Sequence, residues 1–152
     1  MSNVCKEERA RAVFEVLTDV YDSSPWTYEQ VLADMAKPDT DYFFVYEDKA
    51  IVGFLSLQQL VGECELTNIA IKKAYQKKGY GKLLLEKLDD VACPIFLEVR
   101  ASNSRAKNLY QKAGFEVIGK RRNYYHNPVE DAIIMKRWGE NMRKDRYILA
   151  VE

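Results

Sequence analysis

The chain has few of the side chains that bind metals or form disulfides. Its 152 residues include one histidine, His126, and three cysteines, Cys5, Cys64 and Cys93. The cysteines form neither a CxxC pair nor an even set, so their spacing argues against zinc and disulfide frameworks and favours a reducing compartment. His126 stands before an Asn–Pro pair, a pattern typical of a turn residue. We therefore expect no metal site, and no histidine placed to activate Cys64 as a nucleophile.

Excess charge and long apolar runs are also absent. The 23 basic and 23 acidic side chains cancel, so no global electrostatic field draws the protein to nucleic acid or to a membrane. No apolar run is long enough to span a bilayer, and the N-terminal segment lacks the apolar region of a signal peptide. We expect a cytoplasmic monomer or weak dimer whose partners include neither nucleic acid nor membrane.

The composition that remains is typical of one globular domain. Hydrophobic residues make up 47% of the chain and charged residues 30%, which is ordinary for a protein with a packed core. No repeat and no low-complexity linker divides the sequence. We expect a single domain over residues 1–152, with 138–152 as a candidate C-terminal extension.

The spacing of apolar residues predicts the element order ααβββαβαββ. Helical spacing runs from about residue 7 to residue 21, and Thr27 with Gln30 forms a capping-box pattern at the start of a second helix. Two β-rich runs joined across 47–49 predict a hairpin. A strand at 63–71, a helix from 81 to about 92, a strand at 95–99, a helix ended by Gly114 and two strands around a turn at Asn127–Pro128 follow. This order predicts an α/β (α+β) fold with helices on both faces of a mixed sheet.

The stretch QKKGYGK, residues 76–82, combines two glycines with three lysines. A Walker A loop requires Ser or Thr after its lysine, but Leu83 follows Lys82, and a dinucleotide fingerprint requires a third glycine where this chain has Leu84. Glycines before a helix let the backbone approach an anion, because the first N–H groups of a helix have no partner within it. By itself the stretch predicts either an anion site or a plain turn with solvated lysines.

Two segments in order, LTNIAIKKAYQKKGYGKLLLEKL and LEVRASNSRAKNLYQKAGF, resemble the GNAT family of acetyl-CoA-dependent N-acetyltransferases. The first is similar to the family's Q/R-x-x-G-x-G/A loop, and the second to its N-x-x-A-x-x-L-Y-x-x-x-G-F motif. The letters NIAI, LEVRASN, RRNYY and EDAIIM are most similar to the branch that acetylates the N-terminal alanine of a ribosomal protein. The resemblance implies a mixed, mostly antiparallel central sheet with helices on both faces.

The resemblance also implies acetyl-CoA as co-substrate. In the family the glycine loop holds the pyrophosphate of coenzyme A, which here assigns backbone contacts to Gln76, Lys77, Lys78, Gly79, Tyr80, Gly81 and Lys82. The strand that ends in NIAI is implied to pair with the pantetheine through Ile69, Ala70 and Ile71, with the Ile71 amide near the thioester oxygen. Asn103 is implied to hydrogen-bond the cofactor, although its position before a helix also makes it a plain helix cap.

The resemblance assigns catalysis to Glu98 and Tyr110. Glu98 interrupts the apolar run IFLEV, and an acid there must be paired or reach a cleft. The family has its proposed general base at the matching position; the alternative is a buried glutamate held by Arg100 or Arg105. The helical spacing of Tyr110 is typical of a core residue, whereas the resemblance places its hydroxyl beside the sulfur as general acid.

For the acceptor, the resemblance implies a cleft flanked by the segment between the first helices and by the last hairpin. It assigns acceptor contacts to Trp26, Glu65, Arg122, Tyr124 and Tyr125. Arg121 is implied to lie near the same cleft. The alternatives are that Trp26 packs the first helix pair and that Arg121 and Arg122 belong to a solvated strand face.

These assignments imply direct transfer of acetyl to the N-terminal α-amino group of a protein, the N-terminal alanine of a small-subunit ribosomal protein, in a ternary complex. Roughly a tenth of an α-amino group with a pKa near 8 is neutral at pH 7, and a lysine with a pKa near 10.4 is about 250-fold worse. One carboxylate base therefore suits an N-terminal acceptor. The alternatives are a lysine side chain or small-molecule amine as acceptor, or a low-turnover acetyl-CoA-binding interaction module.

Overall fold

The computed structural model describes residues 3–139, and its elements follow the predicted order. The helices and strands are α1 (Asn3–Tyr21), α2 (Tyr28–Met35), β1 (Thr40–Glu47), β2 (Ala50–Gln59), β3 (Cys64–Ile71), α3 (Tyr80–Glu86), β4 (Ile95–Arg100), α4 (Ser104–Lys112), β5 (Glu116–Tyr125) and β6 (Glu130–Arg137). Two short 3₁₀ turns flank α3, at Lys73–Tyr75 and Lys87–Asp90. In the described part of the chain no helix is long and apolar enough to cross a membrane.

The six strands form one sheet in the order β1-β2-β3-β4-β6-β5. β1 pairs with β2, β4 with β6 and β5 with β6, all antiparallel, whereas β3 pairs with β4 in parallel. A parallel pair needs a crossover connection, and α3 lies in the connection between β3 and β4. The predicted mixed, mostly antiparallel sheet is confirmed.

Local signals in the sequence produce the predicted starts and stops. Thr27 accepts a hydrogen bond from the Gln30 amide at 3.1 Å, and the Gln30 side chain accepts one from the Thr27 amide at 2.9 Å, which completes the capping box. The hairpin between β1 and β2 turns through Asp48 and Lys49, both at positive φ, as a two-residue turn requires. Gly114, at φ +95°, follows α4 and ends it.

The helix after the glycine loop differs from its prediction. α3 ends at Glu86 rather than near residue 92, and a 3₁₀ turn continues the chain. Arg137 Nη2 donates to the Leu88 carbonyl at 2.8 Å, and Arg137 Nη1 lies 3.2 Å from an Asp89 carboxylate oxygen. The same carbonyl accepts the Val91 amide at 2.9 Å, so Arg137 adds a second hydrogen bond to the 3₁₀ turn that follows α3.

Contacts within the chain divide it into two compact units, residues 3–59 with 66–87, and residues 60–65 with 88–139. In the first unit, α1 and α2 pack on the side of β2 that carries Phe54. Leu55 and Leu57 alternate with Phe54 and are also buried, so both faces of this strand are covered. α3 contacts β1 and β2 and buries Leu84 and Leu85. The single domain over 1–152 stays a prediction, and 140–152 of the expected extension lie outside the described residues.

The second unit has one buried and one polar side along β4. Ile95, Leu97 and Val99 are buried, and they alternate with Phe96, Glu98 and Arg100. Met135 and Phe115 are buried as well. Because successive side chains of a strand point to opposite faces, Glu98 and Arg100 lie on the face away from this buried row.

Candidate active site

The strand register brings acidic and basic side chains to the polar face of the second unit. Glu65 of β3 stands opposite Phe96 of β4, and Glu98 follows two residues along on the same face. Across β6, Arg100 stands opposite Ala132, which in turn stands opposite Arg121 of β5. Directly paired residues share a face, so Glu65, Glu98, Arg100 and Arg121 all lie on one side of the sheet.

Glu98 forms an ion pair through one of its two carboxylate oxygens. Its carboxylate oxygen Oε1 lies 3.5 Å from Nε of Arg121, and 13% of its side chain is exposed. Its second oxygen, Oε2, is buried and accepts no hydrogen bond from any described residue. A buried acceptor without a donor costs free energy unless something binds it. We therefore infer that Oε2 of Glu98 is a candidate binding atom for a ligand in the second unit.

The ion pair corrects the structural alternative for Glu98. That alternative assigned Glu98 to Arg100 or Arg105, and the structure pairs it with Arg121 instead. Arg100 pairs with Glu130 at 3.2 Å, and its guanidinium lies 4.4 Å from the centre of the Tyr125 ring.

Tyr124 reaches Glu98 because β5 is irregular at this point. Arg121 stands opposite Ala132 and Tyr125 opposite Glu130, so residues 122–124 face a single residue of β6. Asn123 has φ +50°, and its backbone N–H donates a hydrogen bond to the Asp131 carboxylate at 2.9 Å, which stabilises the bulge. A bulge re-aims the side chains beside it. The charge of Glu98 raises the pKa of the Tyr124 hydroxyl, so this hydroxyl lies near the carboxylate.

Glu65 shares the electrostatic environment of Glu98. Burial, and then the charge of Glu98, raise the pKa of Glu65, whereas the charge of Arg121 opposes the rise. The Glu65 side chain makes no hydrogen bond or ion pair to any other residue in 3–139. Arg121 forms its ion pair with Glu98, and its charge also acts on Glu65.

A second acid holds the loop between β4 and α4. Glu130 accepts a hydrogen bond from the Ser102 amide at 2.6 Å and pairs with Arg100. Hydrogen bonds from Ser102 lower the pKa of Glu130. Arg100 also donates to the carbonyls of Pro128 and His126, at 3.3 and 3.4 Å, so His126 is the turn residue that the sequence predicted. This clamp fixes the start of α4.

α4 carries the two other residues predicted for cofactor and catalysis. The Asn103 side chain accepts from the Ala106 amide at 3.1 Å, so its role as helix cap is confirmed. Tyr110 is 7% exposed, and its ring meets that of Phe115 edge-on with centroids 5.8 Å apart. Both have structural roles, which leaves their proposed contacts with the cofactor as predictions.

The glycine loop lies in the first unit and has a defined backbone. Lys77 and Gly79 both have positive φ, at +65° and +89°, and such backbone turns amides toward a common point that suits an anion. The Tyr80 hydroxyl donates to Glu47 of the hairpin, and this hydrogen bond raises the pKa of Tyr80. The Lys78 ammonium lies 5.7 Å from the centre of the Tyr75 ring, so this lysine is not simply solvated.

The end of β3 is packed closely against β2. A Cβ built at Gly53 would collide with the Ile71 side chain and lie 3.0 Å from the Ala70 carbonyl. Only glycine lets the two strands approach this closely without a shift. Gln76 donates its side-chain amide to the Ile71 carbonyl at 2.9 Å, which connects the glycine loop to this strand.

Trp26 and Arg122, both predicted to contact the acceptor, are exposed side chains. Trp26 is 38% exposed, and its amide nitrogen lies 3.2 Å from the Ser24 hydroxyl, in the segment between α1 and α2. Arg122 is exposed in the bulge of β5. The guanidinium that meets Glu98 is therefore that of its neighbour Arg121. In the described part of the chain, no three His, Cys, Asp or Glu side chains cluster as metal ligands would.

Residues 7–115 match the model of the acetyltransferase (GNAT) family. The chain belongs to the GNAT family. It is 34% identical over 119 residues to the N-alpha-acetyltransferase RimI of Mycobacterium tuberculosis, which covers 74% of this chain and 75% of that protein. It is similar in structure to the ribosomal-protein-S18-alanine N-acetyltransferase of Escherichia coli, with a TM-score of 0.74 and 31% identity over 87% of this chain and 91% of that one.

The GNAT fold is also that of the PaiA N-acetyltransferase of Thermoplasma acidophilum, solved in complex with coenzyme A. The TM-score is 0.71, with 20% identity over 87% of this chain and 94% of that one. The predicted family, its fold and acetyl-CoA as the co-substrate of the family are confirmed, as is the likeness to the ribosomal-protein-alanine branch.

Sequence reasoning missed two residues of this GNAT site. The first is Arg121 as the partner of Glu98, although RRNYY was recognised as part of the likeness. The second is Glu130, which anchors Arg100 and Ser102. The signal available was the charge alternation of β4 and β6, but only the register of β5 on β6 places Arg121 on the face of Glu98.

Proposed function

We propose that this chain transfers the acetyl group of acetyl-CoA to the N-terminal α-amino group of a protein, the N-terminal alanine of a small-subunit ribosomal protein. The observation that carries the proposal is Glu98, which has a buried oxygen without a hydrogen bond on a polar face shared with Glu65 and Tyr124. The similarity to the Escherichia coli ribosomal-protein-S18-alanine N-acetyltransferase supports this acceptor.

The glycine loop supplies the pyrophosphate site in this proposal. Backbone amides would hold the pyrophosphate of coenzyme A, and the positive φ of Lys77 and Gly79 suits that task. Lysine side chains around the loop would add positive charge. The proposed set is Gln76, Lys77, Lys78, Gly79, Tyr80, Gly81 and Lys82.

The end of β3 would hold the pantetheine as an added strand through Ile69, Ala70 and Ile71. Backbone amides and carbonyls at a strand edge bind an extended ligand in this way. The Ile71 amide would donate to the thioester oxygen as negative charge develops on it. Losing one such donor costs about 3–4 kcal/mol of transition-state stabilisation. The close packing of Gly53 on this strand would keep the donor in place.

Glu98 would act as the general base, directly or through a water molecule. The acceptor amine must lose a proton before it attacks the thioester carbon, and an α-amino group needs only a modest base to do so at neutral pH. The buried Oε2 is free to accept that proton, because Arg121 pairs with the other oxygen.

Tyr110 would protonate the departing thiolate as general acid. A phenol with an ordinary pKa near 10 donates to a thiolate of pKa about 8.5 only with help from the site, so a supporting effect is expected. Asn103 would add a hydrogen bond from its amide group to the cofactor while it caps α4. The transfer is direct, within a ternary complex, and needs no cysteine nucleophile.

The acceptor peptide would lie along the polar face of the second unit. Tyr124 and Tyr125, whose rings meet edge-on 5.1 Å apart, would form a wall of its cleft. Trp26, Glu65 and Arg122 complete the proposed set of acceptor contacts.

Turnover on a panel of acceptors tests this function. Purified protein and acetyl-CoA are incubated with an alanine-starting ribosomal peptide, the same peptide with a blocked N-terminus and an internal lysine, and a polyamine, and the products are identified by mass spectrometry. We expect acetylation of the free α-amino group and little of the lysine or polyamine. A strong preference for lysine or polyamine contradicts the N-terminal acceptor, and binding of acetyl-CoA without turnover contradicts the enzyme.

A further inference from the structure

We propose that Glu65 is the counter-ion that captures the N-terminal ammonium group of the acceptor, and that Glu98 then takes the proton. This inference rests on the proposed function and assigns the recognition of the acceptor's charge to a second carboxylate beside the base. The starting point is the arrangement of charges on the polar face. Glu65 and Glu98 lie on one face of the sheet by the register of β3 and β4, and Arg121 forms its ion pair with Glu98, 3.5 Å away.

Two other cations on this face have acidic partners of their own. Arg100 pairs with Glu130 at 3.2 Å, and Lys136 pairs with Glu63 at 3.1 Å. Neither cation therefore neutralises Glu65. The carboxylate pair is one positive charge short, and an acceptor that arrives as an ammonium supplies that charge. Two carboxylates that face one cation attract a second cation and disfavour a neutral or acidic group at the same point.

The strand geometry lets both carboxylates reach one ammonium. Strands lie about 4.8 Å apart and residues two positions along lie about 6.6 Å apart, so the Cα atoms of Glu65 and Glu98 are about 8 Å from each other. The N–H bonds of an ammonium diverge at about 109°, so two carboxylate oxygens that each lie about 2.8 Å from its nitrogen are about 4.6 Å apart. Two glutamate side chains that extend from one face of the sheet span that gap.

The two acids differ in the partner that they already have. Arg121 occupies Oε1 of Glu98, and Oε2 of Glu98 is buried and accepts no hydrogen bond from a described residue. Glu65 is half-buried and has no ion pair or hydrogen bond within 3–139. The half-buried Glu65 can therefore bind the ammonium group at the edge of the site. The buried oxygen Oε2 of Glu98 can accept the proton.

The reaction balances with Glu65 unchanged throughout. The ammonium gives one proton to Glu98, the amine nitrogen forms a bond to the thioester carbon, and the nitrogen loses a second proton as the carbon–sulfur bond breaks. The thiolate takes a proton from the Tyr110 hydroxyl. One of the two protons lost by the nitrogen then reprotonates Tyr110. Each turnover releases one proton to solvent, and Glu65 remains a carboxylate.

A binding comparison tests Glu65 without turnover. The protein is saturated with coenzyme A, and calorimetry measures Kd for an alanine-starting peptide and for its des-amino analogue, in which a propanoyl group replaces alanine. We expect the wild type to prefer the ammonium form by roughly 10-fold or more, as charge-assisted hydrogen bonds do. Glu65→Gln should reduce that preference to within about 3-fold, and Glu65→Asp should retain part of it.

Glu63→Gln is the matched control, because it removes the same charge two residues earlier on the same face while its own partner is Lys136. It should keep the wild-type preference. In steady-state assays Glu65→Gln should raise KM for the peptide, with KM for acetyl-CoA and kcat at saturating peptide within about 3-fold of wild type. An unchanged ammonium preference, or a fall in kcat without a rise in peptide KM, overturns the role of Glu65. Because calorimetry needs no turnover, failure of the wild type on the acceptor panel overturns the proposed function separately.

Discussion

Nε of Arg121 lies 3.5 Å from Oε1 of Glu98, while Oε2 of the same carboxylate is buried without a hydrogen bond from the described residues. One oxygen is therefore held by a guanidinium that is itself 55% exposed, and the other is left for a ligand. This division orients Glu98 and at the same time keeps it available to a substrate.

Glu98→Gln should lower kcat by roughly 10²–10³-fold, within the range of general-base catalysis. The loss should be greatest at low pH, because more of the acceptor amine is then protonated and needs a base. Binding of acetyl-CoA should not change, since Gln has the same shape. Rates from pH 6 to 9, with cofactor affinity as control, measure this, and a pH–rate profile identical to that of the wild type would exclude Glu98 as base.

Arg121→Met should separate kcat from KM. Glu98 loses its orienting partner, so kcat should fall by roughly 10-fold, and the face becomes more negative, so KM for an ammonium acceptor should not rise. Because Arg121 is largely exposed, the free energy of unfolding should change by less than about 1 kcal/mol. Lys120→Met is the control. Lys120 is exposed, and because it directly precedes Arg121 in β5 its side chain points to the opposite side of the sheet from Arg121. Equal effects of the two substitutions would contradict this role of Arg121.

Tyr110→Phe should lower kcat by roughly 10-fold or more, since the thiolate would leave without its proton donor. The edge-on contact with Phe115 survives in the variant, so the melting temperature should change little. Kinetics and thermal unfolding of the same preparation separate the two effects. A drop in melting temperature with unchanged kcat would leave Tyr110 as a core residue only.

Gly53→Ala should weaken both the fold and the proposed pantetheine strand. The new Cβ collides with the Ile71 side chain and lies 3.0 Å from the Ala70 carbonyl, so the Ile71 side chain must move and the contact with β3 is overpacked. Overpacking of this kind costs about 1–3 kcal/mol, and KM for acetyl-CoA should rise. Gly119→Ala is the matched control, because its Cβ would lie 3.9 Å from the Ile134 side chain, an ordinary van der Waals contact. Similar changes in stability and in KM for acetyl-CoA in the two variants would contradict the prediction. They would show that replacing any strand glycine has this effect, whether or not it packs closely against β3.

Glu65→Gln should raise the melting temperature at neutral pH. Burial and the charge of Glu98 raise the pKa of Glu65 above its unfolded value, so its ionisation at neutral pH opposes folding. The stabilising contribution of the protonated group is present below the unfolded pKa and is lost as the pH rises through the raised folded pKa. Melting curves of both proteins should therefore converge below about pH 4, where both side chains are neutral. A lower melting temperature for the variant at pH 7 would contradict the like-charge pair.

Much of the fold follows from local signals that act within a few residues. The capping box at Thr27 and Gln30, the two-residue hairpin at Asp48 and Lys49, and the stop at Gly114 each depend on neighbours in the chain, and each is confirmed. The family also follows from the sequence, because the glycine loop and the second motif are contiguous stretches. Glu98 was predicted as a site residue because an acid within an apolar strand must be paired or reach a cleft.

Only the tertiary structure decided which partners those residues meet. The sequence offered Arg100 or Arg105 as the partner of Glu98, whereas the register of β5 on β6 brings Arg121 to it and Glu130 engages Arg100. The shared face of Glu65 and Glu98 depends on the register of two strands whose connection runs through α3. Register is set by packing across the whole sheet, which no local pattern specifies, so the charge balance of the site appears only when the strands are paired.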